Sequence, residues 1–353
     1  MSESNIEEII IIGAGPSGLS LAYHLREIGL RPLVLEAGEN AGSSFENMPD
    51  FLALISYWKS NYLIKKDRFY FKTGAQVHSK EFAKYLQDFP SRFGIKVQTS
   101  CLVQKVERVD QVYSLETSKG RFQSRIIVNC TGYYSSPFYP NFPGLQTSKM
   151  LKLHFKEYKN KDSLKGSKKI LVVGSRLSAG QILLDLESED IELNLSSRSK
   201  INSMVPSFFL RIILFFIDHL EKPLEFISNK RIETTAPMFH EAKSLIKKGR
   251  VKLYPSIKSF HDNSVSFVDG ATTPFDAVIL ATGFTPQLDY LGNLIDLNKE
   301  KLPLLSEGFE ALYTRNLFFL GLDHQQNVQS RFLRGIRNDA KKLSVLISER
   351  LKI

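Results

Sequence analysis

"EIIIIGAGPSGLSLAYHLREIGLRPLVLEAG", running from Glu8 to Gly38, decides the fold. Ile9 to Ile12 read as a strand of the buried parallel kind, apolar on both faces. Gly13, Gly15 and Gly18 follow in G-x-G-x-x-G spacing. The first glycine allows a tight turn. The second lets the backbone approach a pyrophosphate, and the third lets the helix pack on the strand. Pro16 suits the first helical turn, where an N–H would be unpaired anyway. Leu19, Ala22, Tyr23 and Leu25 give that helix an apolar face, and Gly29 ends it. A second strand, "RPLVLE", ends in Glu36, 23 residues after Gly13. A carboxylate there accepts hydrogen bonds from ribose hydroxyls. Any one of these signals is weak. Strand, turn, helix, strand and terminal acid in order predict a dinucleotide site formed by Gly13, Gly15, Pro16, Ser17, Gly18, Glu36 and Ala37.

A second unit starts at Lys168 with "KKILVVGSRLSAGQILLDLE". Its turn offers Gly174, Ser175, Arg176, Ser178 and Ala179, with an amphipathic helix behind. Arg176 stands where the second glycine is expected. Its side chain either points to solvent, pushes the pyrophosphate outward, or contacts the phosphate it displaces. The following strand, "IELNL", ends in "SSRSK" with no acid. Ser196, Ser197, Arg198 and Lys200 stand there instead, and hydroxyls with a guanidinium are what a ribose 2′-phosphate requires. Glu36 repels a 2′-phosphate, so the first site suits FAD or NAD, and two units in series favour FAD. The second site is expected to select NADPH over NADH.

The chain has 353 residues, which suits two domains of ordinary size. "RIIVNCTGYYSSP" and "DAVILATGFTP" resemble each other, each an apolar strand leading into a T-G turn, at Thr131-Gly132 and Thr282-Gly283. They flank the second nucleotide unit. The expected fold is α/β, with two Rossmann-like domains and the NADPH domain inserted into the FAD domain. The expected boundaries are 1–150 and 281–353 for the FAD part and 151–280 for the NADPH part, with crossings near 145–165 and 280–285.

The net charge of +10 allows nucleic acid, a membrane surface or phosphorylated small molecules as partners. No run of six like charges occurs, and the basic pieces "NYLIKKDR" and "SLIKKGR" read as solvated faces, so nucleic acid is not expected. Cys101 and Cys130 form no C-x-x-C, which excludes a disulfide framework. No metal site is expected. The acidic N-terminus is not a signal peptide, and a cytoplasmic protein is expected. "VPSFFLRIILFFIDHL", residues 205–220, is too short to span a bilayer of about 20 residues. It reads either as a groove-covering helix or as a helix that touches a membrane face and collects a lipophilic substrate.

These motifs resemble the flavin-containing monooxygenase group of two-dinucleotide flavoproteins. The chain is most like its short members, such as YUCCA-type indole-pyruvate monooxygenases and oxidoreductases whose names refer to cation transport. The resemblance covers nearly the whole chain. It rests on "GAGPSG" with Glu36, "AGSSF" ending in Phe45 where the family has Trp, "CTGYYSSPFYPNFPGL", "LHFKEYK", "VVGSRLSAGQ", "DAVILATGFTP" and "RFLRGIRNDAKKL". In the family the start of this last helix, here Phe332 and Leu333, approaches the flavin ring, where backbone N–H groups stabilise negative charge. There are departures. Of the fingerprint F-x-G-x-x-x-H, which falls on Ser148 to His154, only the histidine and the following Tyr158 survive. His154 is either a cofactor-domain residue or a hydrogen-bonded linker histidine.

The resemblance implies that NADPH reduces the flavin and that a C4a-hydroperoxyflavin, kept dry, passes one oxygen atom from O2 to a small, lipophilic or aromatic substrate. Asn61 and Gln325 are the candidate catalytic neighbours of the ring, with Trp58 and Gln326 beside them. Trp58 otherwise reads as core or lid, and His324 as a surface loop histidine. Two other functions stay open. One is a flavin reductase that passes electrons to a quinone, a protein or a small disulfide. The other is a sensor that binds FAD and NADPH without turnover. Oligomeric state is not legible.

Overall fold

The structure is a computed structural model that describes residues 6–352 apart from 57–59, 72–75, 206–208, 210–235, 307 and 328. β1 (Glu7–Ile12) lies parallel to β2 (Leu33–Leu35), with Ile10 beside Leu33 and Ile12 beside Leu35, and α1 (Pro16–Glu27) connects them. Ile9 and Ile11 enter the core that receives Leu19 and Leu25 of α1. Ile10 and Ile12 enter a second core on the opposite face. Both faces of β1 are covered, which is why no polar residue alternates within the isoleucine run.

The short α2 (Ser43–Glu46) and the amphipathic α3 (Ser79–Phe93) lead to β3 (Lys96–Gln98), which extends the sheet beyond β2. Then β4 (Val103–Val109), β5 (Val112–Thr117) and β6 (Gly120–Asn129) form an antiparallel meander. Thr117 faces Gly120 across the turn "TSKG". β6 runs on beside β1, parallel to it, on the side away from β2.

A separate sheet follows. It comprises β7 (Leu151–His154), β8 (Lys169–Val173), β9 (Glu192–Ser196) and β10 (Val251–Tyr254), with α4 (Leu177–Asp185) and α5 (His240–Lys247) on one face. The other face is covered by a three-stranded antiparallel sheet of β11 (Ile257–His261), β12 (Ser264–Phe267) and β13 (Thr272–Pro274). β14 (Ala277–Leu280) inserts between β8 and β7, and the order β10-β9-β8-β14-β7 is parallel throughout. β15 (Leu305–Ser306), β16 (Glu310–Ala311) and β17 (Leu317–Phe319) then rejoin the first sheet beside β6. The long α6 (Leu333–Leu351) packs against α1.

The second sheet therefore lies, in sequence, between two neighbouring strands of the first, as the paired T-G turns suggest. The first crossing differs from the expected position. Leu145 and Met150 already belong to the core of the second sheet. The chain crosses at Tyr133–Pro140, where it runs against the returning segment. Phe138 N–H donates to Gly283 O at 2.9 Å, and Thr285 N–H donates to Ser136 O at 3.0 Å. Two outgoing and returning segments that satisfy each other's backbone groups can cross together without orphaned N–H or C=O groups. The apolar stretch 205–220 lies almost wholly outside the described residues. Val205 and Phe209, which are described, are exposed. Among the described residues no helix is long and apolar enough to cross a membrane.

Candidate functional site

The turn after β1 is fixed by its neighbours. Gly13 N–H donates to Leu35 O at 2.7 Å, and Cys130 N–H donates to Ile12 O at 2.8 Å. Gly13 has φ +104°, and a Cβ on it would lie 2.7 Å from Cys130 O. A Cβ on Gly18 would lie 2.0 Å from Gly13 O, so helix and turn touch backbone to backbone. Gly15 is different. Its φ is −82°, which any residue adopts, and a Cβ there would meet nothing within 4 Å. The protein does not need glycine at 15 for its own packing. The open space beside it is a cradle that a side chain would fill, and it fits a pyrophosphate at the helix start.

Glu36 is buried, and its carboxylate braces this turn. Oε2 accepts from Ala14 N–H at 2.7 Å, and Oε1 accepts from Gly38 N–H at 2.8 Å and from Ser43 Oγ at 2.9 Å. Of about four acceptor positions on a carboxylate, one on Oε2 is left for a ribose hydroxyl. Ser17 is buried in the first turn of α1, and Pro16 opens that helix. A Cβ on Gly321 would lie 2.3 Å from Ser17 Oγ, so the loop after β17 closes over the helix start. Ala37 stands exposed beside Glu36. Phe45 packs edge-on against Phe82 with ring centroids 4.8 Å apart.

The second turn repeats the relations of Gly13. Gly174 N–H donates to Ser196 O at 3.0 Å, and Ala281 N–H donates to Val173 O at 2.9 Å. A Cβ on Gly174 would lie 2.6 Å from Ala281 O. Each nucleotide turn thus rests on the residue that precedes a T-G turn, Cys130 before Thr131 and Ala281 before Thr282. Arg176 caps α4 with φ −117° and ψ −164°, close to Gly15 at −82° and −172°. The arginine causes no backbone strain; it differs from glycine only in volume and charge. The helix start is also partly covered from within the chain. Arg176 forms a β-bridge with Pro237, and Leu177 N–H donates to Ala236 O at 3.3 Å. Ser175 Oγ lies 3.2 Å from Ser199 Oγ, while Ser178 is half-buried and Ala179 is buried against the sheet.

At the end of β9 the candidate residues divide. Ser196 is buried and its hydroxyl donates to Pro255 O at 2.6 Å, so it is a structural residue and not a phosphate contact. Ser197 Oγ donates to Ser199 O at 2.7 Å and shapes the loop. Arg198 and Lys200 are exposed beside the Gly174–Arg176 turn.

Asn61 is wholly buried, and among the described residues neither its amide oxygen nor its amide nitrogen has a hydrogen-bond partner. Its segment lies against α1, where Ser20 Oγ donates to Leu63 O at 3.3 Å, and against α6 through Arg337. An unpaired buried amide costs about 1–3 kcal/mol per group, which points to a partner from outside the chain. Gln325 has another task. Its Oε1 accepts from Gly321 N–H at 3.0 Å and from Leu322 N–H at 3.2 Å, and its Nε2 donates to Phe319 O. The amide oxygen is taken up in bracing the loop, and one Nε2–H remains beside the bond to Phe319 O. His324 is exposed with φ +53°, the surface loop residue expected. Gln326 donates its N–H to Ser330 Oγ at 2.9 Å, again within the loop. Trp58 lies outside the described residues. Phe332 caps α6 and is exposed, while Leu333 behind it is buried in the first core.

His154 resolves to a linker histidine. Nδ1 accepts from Lys156 N–H at 3.2 Å, so Nε2 carries the proton that bonds Gly283 O at 3.1 Å. Burial pushes its pKa down to about 4. It ties β7 to the Thr282-Gly283 turn and packs edge-on against Phe284. Tyr158 donates to Asp185 Oδ2 at 2.5 Å. Thr282 Oγ1 donates to Phe138 O at 2.5 Å, holding the two crossings together.

Sequence reading missed a polar lattice beneath the loop. Asn129 Oδ1 accepts from both the N–H and the hydroxyl of Thr131 at 3.1 Å, and its Nδ2 donates to Tyr290 Oη at 2.6 Å. Gly132 turns with φ +64° directly after. Arg331 Nη1 donates to both carboxylate oxygens of Asp323 at 3.0 and 3.1 Å, and the guanidinium lies over the ring of Tyr133. The one available signal was the position of these polar residues at the ends of apolar strands. Cys101 and Cys130 are both free and buried. Among the described residues no group of three or more His, Cys, Asp or Glu could hold a metal ion.

Comparison with known proteins agrees with this geometry. The family model described as pyridine nucleotide-disulphide oxidoreductase matches residues 10–321. An uncharacterised CzcO-like oxidoreductase of Geobacillus kaustophilus is 26% identical over 352 residues, covering 96% of this chain and 97% of its own. A probable indole-3-pyruvate monooxygenase of Arabidopsis thaliana, YUCCA4, is 26% identical over 346 residues, covering 86% and 84%. A solved flavin-containing monooxygenase from Stenotrophomonas maltophilia superposes with a TM-score of 0.81 over 98% of both chains, at 21% identity.

Proposed function

The chain belongs to the pyridine nucleotide-disulphide oxidoreductase family, and from that premise we propose that it is an FAD-dependent, NADPH-using monooxygenase. It inserts one oxygen atom from O2 into a small lipophilic or aromatic substrate. The observation that carries this reading is Asn61, a wholly buried amide whose polar atoms have no partner among the described residues, in a segment held to α1 through Ser20 and to α6 through Arg337.

FAD is proposed at the first turn. Gly15 leaves room for the pyrophosphate, Glu36 Oε2 keeps an acceptor for the ribose, and the first turn of α6 offers backbone N–H groups toward the ring. NADPH is proposed at the second turn, with Arg198 at the 2′-phosphate and the α4 N-terminus, capped by Arg176, at the pyrophosphate. When bound, NADPH supplies the hydride and the flavin supplies the oxygen chemistry. The chain's own part is to orient and to exclude water. Asn61 offers one acceptor and one donor group to the ring edge. Gln325 holds the loop that closes over Ser17. The proposed division places FAD with the sheet of β1, β6 and β17, and NADPH with the sheet of β7–β10 and β14.

The relatives named as monooxygenases support oxygenation. No dithiol relay is part of the proposal, because Cys101 and Cys130 are buried at separate places. The apolar sequence of residues 205–220 supports a lipophilic acceptor.

The test is anaerobic stopped flow. NADPH is mixed with the FAD-loaded protein, and oxygenated buffer is added after reduction. Bleaching by NADPH followed by slow reoxidation, with little free hydrogen peroxide, is expected. Prompt reoxidation with stoichiometric peroxide would leave a reductase. Failure of NADPH to bleach the flavin would sink the assignment of the second turn.

A further inference from the structure

The far end of α1 borders a second concavity. A cleft of about 530 Å³ opens between the last turns of α1, the segment Tyr62–Arg68 and the middle of α6. Its size falls in the range of about 300–1,000 Å³ that small molecules occupy. It is not the proposed FAD position. That site takes the first turn of α1 at Gly15–Gly18, whereas the cleft takes Tyr23 to Ile28. It is also on the other sheet unit from the turn at Gly174.

The charge lining this cleft is one-sided. Lys65, Lys66, Arg68, Arg334, Arg337 and Lys341 face it, and Glu27 is the sole carboxylate among its lining residues. Lys66 and Glu27 stand 3.5 Å apart, and Lys65, Arg68 and Lys341 stand exposed beside them. Like charges gathered in a concave wall raise the local potential and concentrate anions. His24 reports the same field. Burial first, then the charge of Lys341, pushes its pKa down. The groups stand on firm supports. Arg334, Arg337 and Lys341 rise from successive turns of α6, and Arg337 is locked against the carbonyls of Ser60 and Tyr62. Lys65 and Lys341 are exposed at the rim.

We propose that this cleft is a binding site for a small, multiply charged phosphate compound, separate from both dinucleotide turns. Guanidinium groups match phosphate oxygens in pairs, and lysines add point charge. The cleft is too confined for a protein face, and its concave wall suits a compact anion carrying two or more phosphates. The shared chemistry has two sources, a soluble polyphosphate or the headgroup of a phosphorylated lipid. The inference goes beyond the proposed monooxygenase reaction and does not rest on it.

The test titrates inorganic tripolyphosphate into the full-length, FAD-saturated protein by calorimetry at low salt. One equivalent is expected to bind. The double variant K65E/K341E, altered only at exposed side chains, is expected to weaken binding at least tenfold. K65A/K341A should weaken it less, and serves if charge reversal impairs folding. Arg198→Ala is expected to leave the affinity unchanged. Cosedimentation with phosphatidylcholine vesicles containing a phosphoinositide separates the two sources. Binding to vesicles alone, lost in the lysine variants, makes the ligand a headgroup. No binding in either arm, affinity unchanged in both lysine variants, or binding lost in Arg198→Ala overturns the proposal.

Discussion

Arg337 and Tyr62 are bound twice over. Arg337 Nη1 donates to the Tyr62 carbonyl at 2.9 Å, and the guanidinium lies 4.0 Å from the centre of the Tyr62 ring. The same nitrogen donates to the Ser60 carbonyl at 2.7 Å. The residue between these two carbonyls is Asn61. One side chain on α6 thus sets the backbone on both sides of the buried amide. Because the amide has no partner among the described residues, its direction depends on that backbone.

Arg337→Met keeps the apolar stem and removes the clamp. FAD should still bind, since the Gly13–Gly18 turn is untouched. Turnover should fall about tenfold, equal to roughly 1.4 kcal/mol of transition-state stabilisation, with the KM for NADPH unchanged. Steady-state kinetics on FAD-loaded protein provide the check. A lower melting temperature of the FAD-free protein, with the loss of turnover matching the loss of folded protein, would mean that the clamp acts on overall folding and not on Asn61.

The three glycines of the first turn predict separable effects. Gly18→Ala forces a Cβ to within 2.0 Å of Gly13 O, and should destabilise the protein by about 3 kcal/mol through overpacking. Gly15→Val meets no protein atom within 4 Å. It should fold with the melting temperature of the FAD-free protein, yet emerge colourless, because its branches occupy the proposed pyrophosphate position. Visible absorbance and thermal melts separate the two cases. A yellow Gly15→Val protein would refute the first site.

Glu36→Gln tests the brace. The glutamine amide keeps one acceptor oxygen, and its NH2 group faces N–H or O–H donors that the carboxylate had accepted from. One of Ala14, Gly38 or Ser43 loses its partner, at a cost of about 1–3 kcal/mol. The FAD-free protein should therefore melt earlier, which a purely ribose-binding role for Glu36 does not predict. Denaturant unfolding without FAD measures it.

Much of this was legible because it depends on local sequence. The run Ile9–Ile12, the glycine spacing and Glu36 constrain neighbours within one βαβ unit, and the two T-G segments announced the nested sheets. The first crossing was misplaced because its signal is pairwise. Phe138 and Thr285 satisfy each other's strands, a relation between segments far apart in sequence. The bracing role of Gln325 was hidden for the same reason. A glutamine in a loop shows nothing of its bonds to Gly321, Leu322 and Phe319 until the loop is folded. Arg337 gave no signal at all, since a basic residue in a C-terminal helix is ordinary and its partners are main-chain carbonyls of residues 60 and 62.

His154 sets an acid limit on stability. Its folded pKa is pushed down to about 4 by burial, from about 6.5 in the unfolded chain. Between those values the unfolded state binds a proton that the folded state refuses. The neutral form's contribution is complete above about pH 6.5, and is lost as pH falls toward 4. His154→Gln, which keeps a donor for Gly283 O, should flatten that part of the stability curve. Denaturant midpoints from pH 7.5 to 4.5 compare the two. An identical acid slope in both proteins would assign the loss elsewhere.

On the proposed assignment, Arg198 decides the choice of nicotinamide cofactor. Of the candidates at the end of β9, Ser196 is committed to Pro255 O and Ser197 to the loop, so the guanidinium carries the proposed 2′-phosphate contact. Arg198→Ala should weaken NADPH about tenfold or more, the scale of one charge-assisted contact of about 1.5–3 kcal/mol. NADH should change less than twofold, since it has no group at that place. Arg176 provides the contrast. It caps the helix that would hold the pyrophosphate common to both cofactors, so Arg176→Gly must alter NADPH and NADH in the same direction and by similar factors. Flavin reduction rates at varied NADPH and NADH give all four numbers. Equal loss of both cofactors in Arg198→Ala would remove the proposed 2′-phosphate contact from Arg198.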